Sequence, residues 1–297
     1  MSDRPDAEWR VDLEVARRVA AGTSAAESVD AVRHVATGWD NAVFRVGERT
    51  ALRLPRRAAA VPLLRNEQRW LPHLQAELPL PIPTPIQFGE SADGFAHPWS
   101  LVPWFDGAPL WHISPDARDR VATALAAFLA ALHRPAPGDA PVNPVRGVSL
   151  AERARAVPPR FDTPEASALE WAWNDGLAAP AWREEPVWLH GDLHPGNLVA
   201  GVSADGTAQL SAVVDWGDIG SGDPACDLVV AWFGLEATGR AVLHSELARL
   251  GAVDDAMWRR GRGWAAAITD AMLHATSGDG DVARMARFAV RQLAAEA

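Results

Sequence analysis

Two short apolar runs each stop abruptly at a carboxylate and give way to turn formers. The first is Val187-Trp188-Leu189-His190-Gly191-Asp192, continued by Leu193-His194-Pro195-Gly196-Asn197-Leu198-Val199. The second is Leu210-Ser211-Ala212-Val213-Val214-Asp215, followed by Trp216-Gly217-Asp218. Such a run reads as a strand that delivers an acid to a loop. With a Gly-bearing connection from Gly201 to Gly206 between them, the two runs are expected to pair as a hairpin and to bring Asp192, Asn197 and Asp215 together.

Two carboxylates and an amide in that order suit phosphoryl transfer. One acid orients the attacking hydroxyl and accepts its proton, while an Asn and a second acid hold Mg²⁺ on nucleotide phosphates, because this metal takes oxygen ligands. Asp192 is the expected base, and Asn197 and Asp215 the metal ligands. His190-x-Asp192-x4-Asn197, then a strand and Asp215, repeats kinase spacing with Gly191 in place of the usual Arg. A zinc cluster of His190, Asp192 and His194 is the competing reading. Against it, Gly191, Pro195 and Gly196 suit a tight loop, and no later His-rich stretch supplies further ligands. A solvated hairpin with idle acids is the bland alternative; two acids and an Asn in this order argue against it.

These residues, with Val214-Asp215-Trp216 and Gly222-Asp223-Pro224-x2-Asp227-Leu228, make the chain resemble the aminoglycoside phosphotransferase family of the protein-kinase-like superfamily. The resemblance implies an α+β, two-lobed fold. A small lobe, residues 1–104, would carry a five-stranded antiparallel sheet plus one main helix and bind nucleotide. A larger, mostly helical lobe, residues 105–297, would carry catalysis and the substrate, with nucleotide in the cleft. It also implies ATP or GTP as donor, Mg²⁺ as cofactor, and Asp227 as an acid bracing the catalytic loop.

All 28 basic residues are Arg, so the strand Lys that kinases use on the phosphates is missing. Arg53, in the alternating run Thr50 to Pro55, sits where the family's Lys would sit. A guanidinium can pair with phosphates bidentately and stays charged. Glu67, inside a helix expected over Leu63 to Leu74, is its expected partner. The turn Thr37-Gly38-Trp39-Asp40-Asn41, between short strands at Ala31 to Ala36 and Ala42 to Val46, would be the nucleotide-covering loop, with Gly38 and Asn41 over phosphate oxygens. The resemblance also implies that linker backbone reads the base edge; because Pro103 has no N–H, the Val102 carbonyl and the Trp104 amide are expected to do so.

The run Pro79 to Pro85 is extended and leads into a strand at Ile86 to Gly89. A hairpin through Ala92-Asp93-Gly94 returns as a strand at Pro98 to Trp104. Most of the remaining chain reads as helix. Val11 to Ala20 has helical spacing, and Ser114-Pro115-Asp116 opens a long helix with Val121, Leu125, Phe128, Leu129 and Leu132 on one stripe. Ala136 to Val148, with three prolines and two glycines, is loop. Helical pieces follow at Leu150 to Ala156 and Pro164 to Ala179, then at Asp223 to Ala237, Arg240 to Leu250, Asp254 to Ala275 and Gly280 to Ala295. The resemblance implies acids of the C-terminal helices meeting ammonium groups of a substrate, which makes Asp270 a candidate, and a surface acid is its ordinary reading. Trp39, Trp104, Trp111 and Trp216 lie near loops, where amphipathic rings suit cyclic polar ligands and cations; Trp216 is taken as a substrate contact.

Net charge is −10, and residues 187–297 carry 8 Arg against 14 acids. Acidity argues against a nucleic-acid partner and suits a cationic small substrate, although solubility alone would explain it equally well. No run is long and apolar enough to span a bilayer, and Met1 to Arg10 is polar, so no membrane is expected and the cytoplasm is the expected location. The single cysteine, Cys226, excludes an internal disulfide and reads as packing. No obligate protein partner is evident. The implied acceptor is a hydroxylated antibiotic of the aminoglycoside type. The same architecture serves macrolide, choline, homoserine, fructosamine and methylthioribose kinases, and the missing Lys raises a nucleotide-binding pseudokinase.

Overall fold

Thr50–Pro55 alternates small or charged with branched side chains, and that alternation organises the first half of the chain. In the computed structural model, which describes residues 5–164, 166–203, 207–276 and 278–297, it is β3. The strands before and after it are β1 (Arg33–Thr37), β2 (Asn41–Val46), β4 (Gln87–Gly89) and β5 (Trp99–Pro103). They form one five-stranded sheet in the order β1-β2-β3-β5-β4, with every neighbouring pair antiparallel.

Successive side chains of a strand face opposite sides. Leu52 and Leu54 therefore share a face, and with Phe44, Val46, Trp99 and Leu101 they pack against Val15, Ala16, Val19 and Ala20 of α1 (Leu13–Ala21). Asp12 caps that helix by accepting from the Val15 amide at 3.0 Å. Arg53 points the other way, to α2 (Ala60–Gln75), which is longer than its sequence pattern suggested and buries Leu64, Glu67, Trp70, Leu71 and Leu74.

The chain divides into two units, one of residues 1–77 and 81–106, the other of residues 78–80 and 107–297. The second contains β6 (Ala108–Pro109), α3 (Pro115–Arg118), α4 (Ala122–Leu132), α5 (Leu150–Ala156), α6 (Ala166–Ala178), β7 (Val187–Leu189), β8 (Leu198–Val202), β9 (Ala208–Val213) and β10 (Gly220–Gly222). Then come α7 (Val230–Gly234), α8 (Ala237–Arg249), α9 (Asp255–Ala275) and α10 (Asp281–Ala294). Among the described residues, no helix is long and apolar enough to cross a membrane.

Three expectations change here. The hairpin partner of β9 is β8, not β7; β7 pairs with β10 instead. The physical reason is length: five residues after Asp192 return the chain to extended backbone at Leu198, close enough to meet β9. In the connection Gly201 to Gly206, residues 204–206 lie outside the described residues, as does residue 165 at the start of the Pro164 to Ala179 helix. The stretch opened by Ser114-Pro115 is also not one helix. A 3₁₀ turn at Asp119–Val121 separates α3 from α4. Likewise, Pro224–Val229 is 3₁₀ before α7 begins, so Asp223 to Ala237 is not one continuous α-helix.

Candidate active site

In the first unit, the alternation of β3 buries Arg53 against α2. Its Nη2 donates to Glu67 Oε1 at 2.9 Å, and Nη1 donates to the other carboxylate oxygen, Oε2. Both side chains are buried, at 7% and 2% exposure. This fork-on-fork geometry is available to Arg and not to Lys.

The turn between β1 and β2 is closed by the Gly38 amide on the Asn41 carbonyl at 2.8 Å. Arg56 Nη1 donates to the Gly38 carbonyl at 2.9 Å, and Arg57 Nε to Asp40 Oδ1 at 2.9 Å. Asn41 is buried, and its Oδ1 makes no hydrogen bond. At the end of β5 the expectation changes. The Trp104 amide donates to the Arg49 carbonyl at 2.8 Å, extending the β3–β5 ladder one pair beyond Thr50–Pro103, and Val102 sits opposite Ala51. The amide assigned to base reading is thus committed to the neighbouring strand.

In the second unit, β7 leads into a loop whose shape depends on one buried acid. Asp227, fully buried at the start of the 3₁₀ segment, accepts from the His190 amide at 2.9 Å, the Gly191 amide at 2.9 Å and His133 Nε2 at 3.2 Å. Burial would raise its carboxyl, and the His133 hydrogen bond and charge together with His190 outweigh that and hold it low. Gly191 has φ 83°, and a Cβ there would stand 2.3 Å from the Asp218 carbonyl oxygen, so no side chain fits. His190 is a spacer rather than a reactant: its Nε2 contacts the Val214 carbonyl at 3.0 Å, and its Nδ1 accepts from the Asp192 amide at 3.3 Å. With both ring nitrogens engaged, it has no lone pair for zinc.

Asp192 follows directly. Asn197 Nδ2 donates to the Asp192 carbonyl at 2.9 Å, and the Asn197 carbonyl accepts from the Val214 amide at 2.9 Å. Those two bonds stitch Asp192, Asn197 and the residue before Asp215 into one piece, with Leu198 opposite Val213. Asp215 itself holds φ 62°, which is uncommon for a residue with a side chain. Asn197 and Asp215 both offer side-chain oxygens, the donor type that would suit Mg²⁺ bound by few protein ligands plus substrate phosphates.

One charged residue here was missed in the sequence. Arg146, from the Pro/Gly-rich loop between α4 and α5, donates from Nη2 to Asp192 Oδ1 at 3.0 Å. His194 Nε2 lies 3.6 Å from the other oxygen. Burial would raise the Asp192 carboxyl, and the charges of His194, Arg146 and His190 outweigh it, leaving it below its ordinary value. Asp218 behaves oppositely. Burial pushes it up, helped by Asp192 and Asp215 and opposed by Arg146 and by the Asn143 hydrogen bond at 2.7 Å.

Two proposed substrate contacts do not stand in a binding surface. Trp216 is fully buried, with Nε1 on the Val213 carbonyl at 3.0 Å and its ring against Phe128 and His190. Asp270 is 3% exposed and accepts from the Arg160 and Phe161 amides at 2.9 and 3.1 Å. It closes the segment before α6, where Phe161 has φ 48°. Cys226 is buried, as packing requires.

Known proteins resemble the chain in sequence and in fold. The family model described as "Phosphotransferase enzyme family" matches residues 31–264. Viomycin phosphotransferase of Streptomyces vinaceus is 30% identical over 224 residues, covering 70% of this chain and 73% of that protein. Among solved structures, the GDP and kanamycin complex of APH(2")-IIia superposes with a TM-score of 0.64 at 22% identity, covering 89% of this chain and 92% of that one. Macrolide 2'-phosphotransferase MphH from Brachybacterium faecium gives 0.60 at 22% identity, covering 87% and 91%. These two share the fold. The α+β architecture, the family match over most of the chain and the curated relative agree: the chain belongs to the phosphotransferase enzyme family.

Proposed function

We propose that this small-molecule phosphotransferase moves the γ-phosphoryl of ATP or GTP onto a hydroxyl of an antibiotic, with aminoglycoside-type and other cationic antibiotics first among the acceptors. The observation that carries the chemistry is the clasp between Asn197 Nδ2 and the Asp192 carbonyl, which sets a base and a metal-ligating amide in one loop. The acceptor class rests on the relatives: one is named for viomycin, another was solved with kanamycin, and a third acts on macrolides.

In this reading Asp192 accepts the hydroxyl proton as the oxygen attacks the γ-phosphorus and the bond to the β-phosphate bridging oxygen breaks. Asn197 Oδ1 and Asp215 would hold Mg²⁺, which when bound neutralises charge on the phosphates. Arg53, held by Glu67, would pair with the α- and β-phosphates, and the turn that carries Gly38 and Asn41 would cover them. The nucleotide lobe is assigned to residues 1–104, and catalysis with acceptor binding to 105–297. The buried, bidentate Arg53–Glu67 pair supports an active enzyme over a pseudokinase, since it supplies the fixed cation that the absent Lys would have supplied.

The test is a coupled turnover assay of the purified chain with ATP and GTP over kanamycin, viomycin, a macrolide and choline, beside Asp192→Asn. Turnover of a cationic antibiotic that falls by about 10²–10⁴ in the variant, with nucleotide affinity kept, supports the reading. Nucleotide binding with no turnover of any acceptor would establish the pseudokinase instead.

A further inference from the structure

The second unit holds an open cavity of about 650 Å³, a volume within the range of small-molecule sites. Its floor and walls are cationic and aromatic. Arg284, Arg287 and Arg291 lie at helical spacing on one face of α10, opposite Trp111 and Arg118.

Arg118 is the unusual member. It is 2% exposed, its Nε and Nη1 make no hydrogen bond, and its guanidinium lies 4.6 Å from the Trp111 ring centre and 4.9 Å from that of Phe288. A surface arginine would turn these N–H groups to water, whereas burying them unpaired costs free energy. Burial pushes this guanidinium down against the charges of Glu236 and Asp119. Those acids serve other groups: Asp119 accepts from the Glu236 and Gly239 amides, and Glu236 from Gln292. On α10, Arg284 pairs with Asp281 and Arg287 with Asp279, which leaves Arg118 and Arg291 without an ion pair among the described residues.

From this geometry we propose that the cavity formed by Trp111, Arg118 and the arginine face of α10 binds a small oxyanion carried on a flat apolar body, a phosphate monoester or carboxylate of an aromatic compound. Guanidinium forks match both oxyanions, and the Trp111 and Phe288 rings, packed edge to face at 5.9 Å, present an apolar wall for the flat part. The site differs in kind from the acceptor site proposed above, where a cation is expected, and it stands or falls independently of it. It is tied to the catalytic loop by the Trp111 amide, which donates to the Pro195 carbonyl at 3.1 Å.

The test is calorimetric titration of the full chain with phenyl phosphate, benzoate and inorganic phosphate, repeated with ATP present. Saturable one-to-one binding of phenyl phosphate or benzoate, about tenfold tighter than inorganic phosphate and unaffected by ATP, is the expected result. The tighter of the two identifies the oxyanion. The surface double variant Arg287→Glu/Arg291→Glu should weaken binding by about tenfold or more with ATP affinity unchanged. Arg118→Gln should do the same where circular dichroism shows it folded, and the double variant decides the matter where it is not. No heat from any of the three anions, displacement by ATP, or undiminished binding in the double variant would each overturn the proposal.

Discussion

Arg146 Nη2 donates to Asp192 Oδ1 across a sequence separation of 46, at 3.0 Å. The proposed base is therefore poised by a cation from a loop with no regular structure of its own. A hydroxyl proton needs a carboxylate with a free oxygen, and Arg146 occupies one while His194 lies beside the other.

Removing that cation should make Asp192 harder to ionise. Arg146→Met is expected to move the acid limb of the kcat/KM profile to higher pH and to lower kcat by about tenfold. A pH–rate profile of the two proteins checks this. An unmoved limb would show that Arg146 acts only on loop structure.

The Arg53–Glu67 pair links stability to nucleotide grip. Breaking a buried pair by removing one partner costs about 3–5 kcal/mol, whereas replacing both with apolar groups is often neutral. Arg53→Met should therefore destabilise the chain in urea, and Arg53→Met/Glu67→Leu should recover much of that loss. Both should raise the nucleotide KM, so that the double variant separates folding from binding.

Asp227 makes three hydrogen bonds from complete burial. Asp227→Ala leaves the His190 and Gly191 amides unpaired, a loss of about 1–3 kcal/mol for each orphaned group. Thermal unfolding should fall by several degrees, and kcat should fall with it because the Asp192 loop loses its anchor. Retention of full kcat in the folded variant would place the loop's shape under other control.

His274 should make stability depend on pH. The Asp270 carbonyl and then the Asp162 carboxylate raise it above its ordinary 6.5. A raised folded-state value means that the protonated form is favoured by folding. Its contribution is complete below about 6.5 and disappears as pH climbs through the raised value. His274→Gln should lower the Tm more at pH 6 than at pH 8.5; an equal loss at both would remove His274 as the titrating group.

Much of this site was readable in the chain. The strand carrying Arg53 and the helix carrying Glu67 were legible because their periods are local, and the pairing of the two was expected from the resemblance rather than from either pattern. Asp192, Asn197 and Asp215 were readable as a group because turn residues fix their spacing. Asp270 and Trp216 were misjudged because exposure depends on distant packing: the amides that hold Asp270 lie more than a hundred residues earlier. Arg146 left no trace, since an arginine among prolines and glycines has no period to betray its direction. The β8–β9 pairing was missed because Leu198–Val202 holds two small residues and reads poorly as a strand.

The stitch that joins Asp192, Asn197 and Val214 has a consequence for how such a protein can diversify. Parts that share hydrogen bonds this closely move together or not at all, so a change in what is phosphorylated has little room to begin there. New acceptors are more readily accommodated by segments that owe the reacting groups nothing, which leaves the chemistry inherited whole while its targets drift.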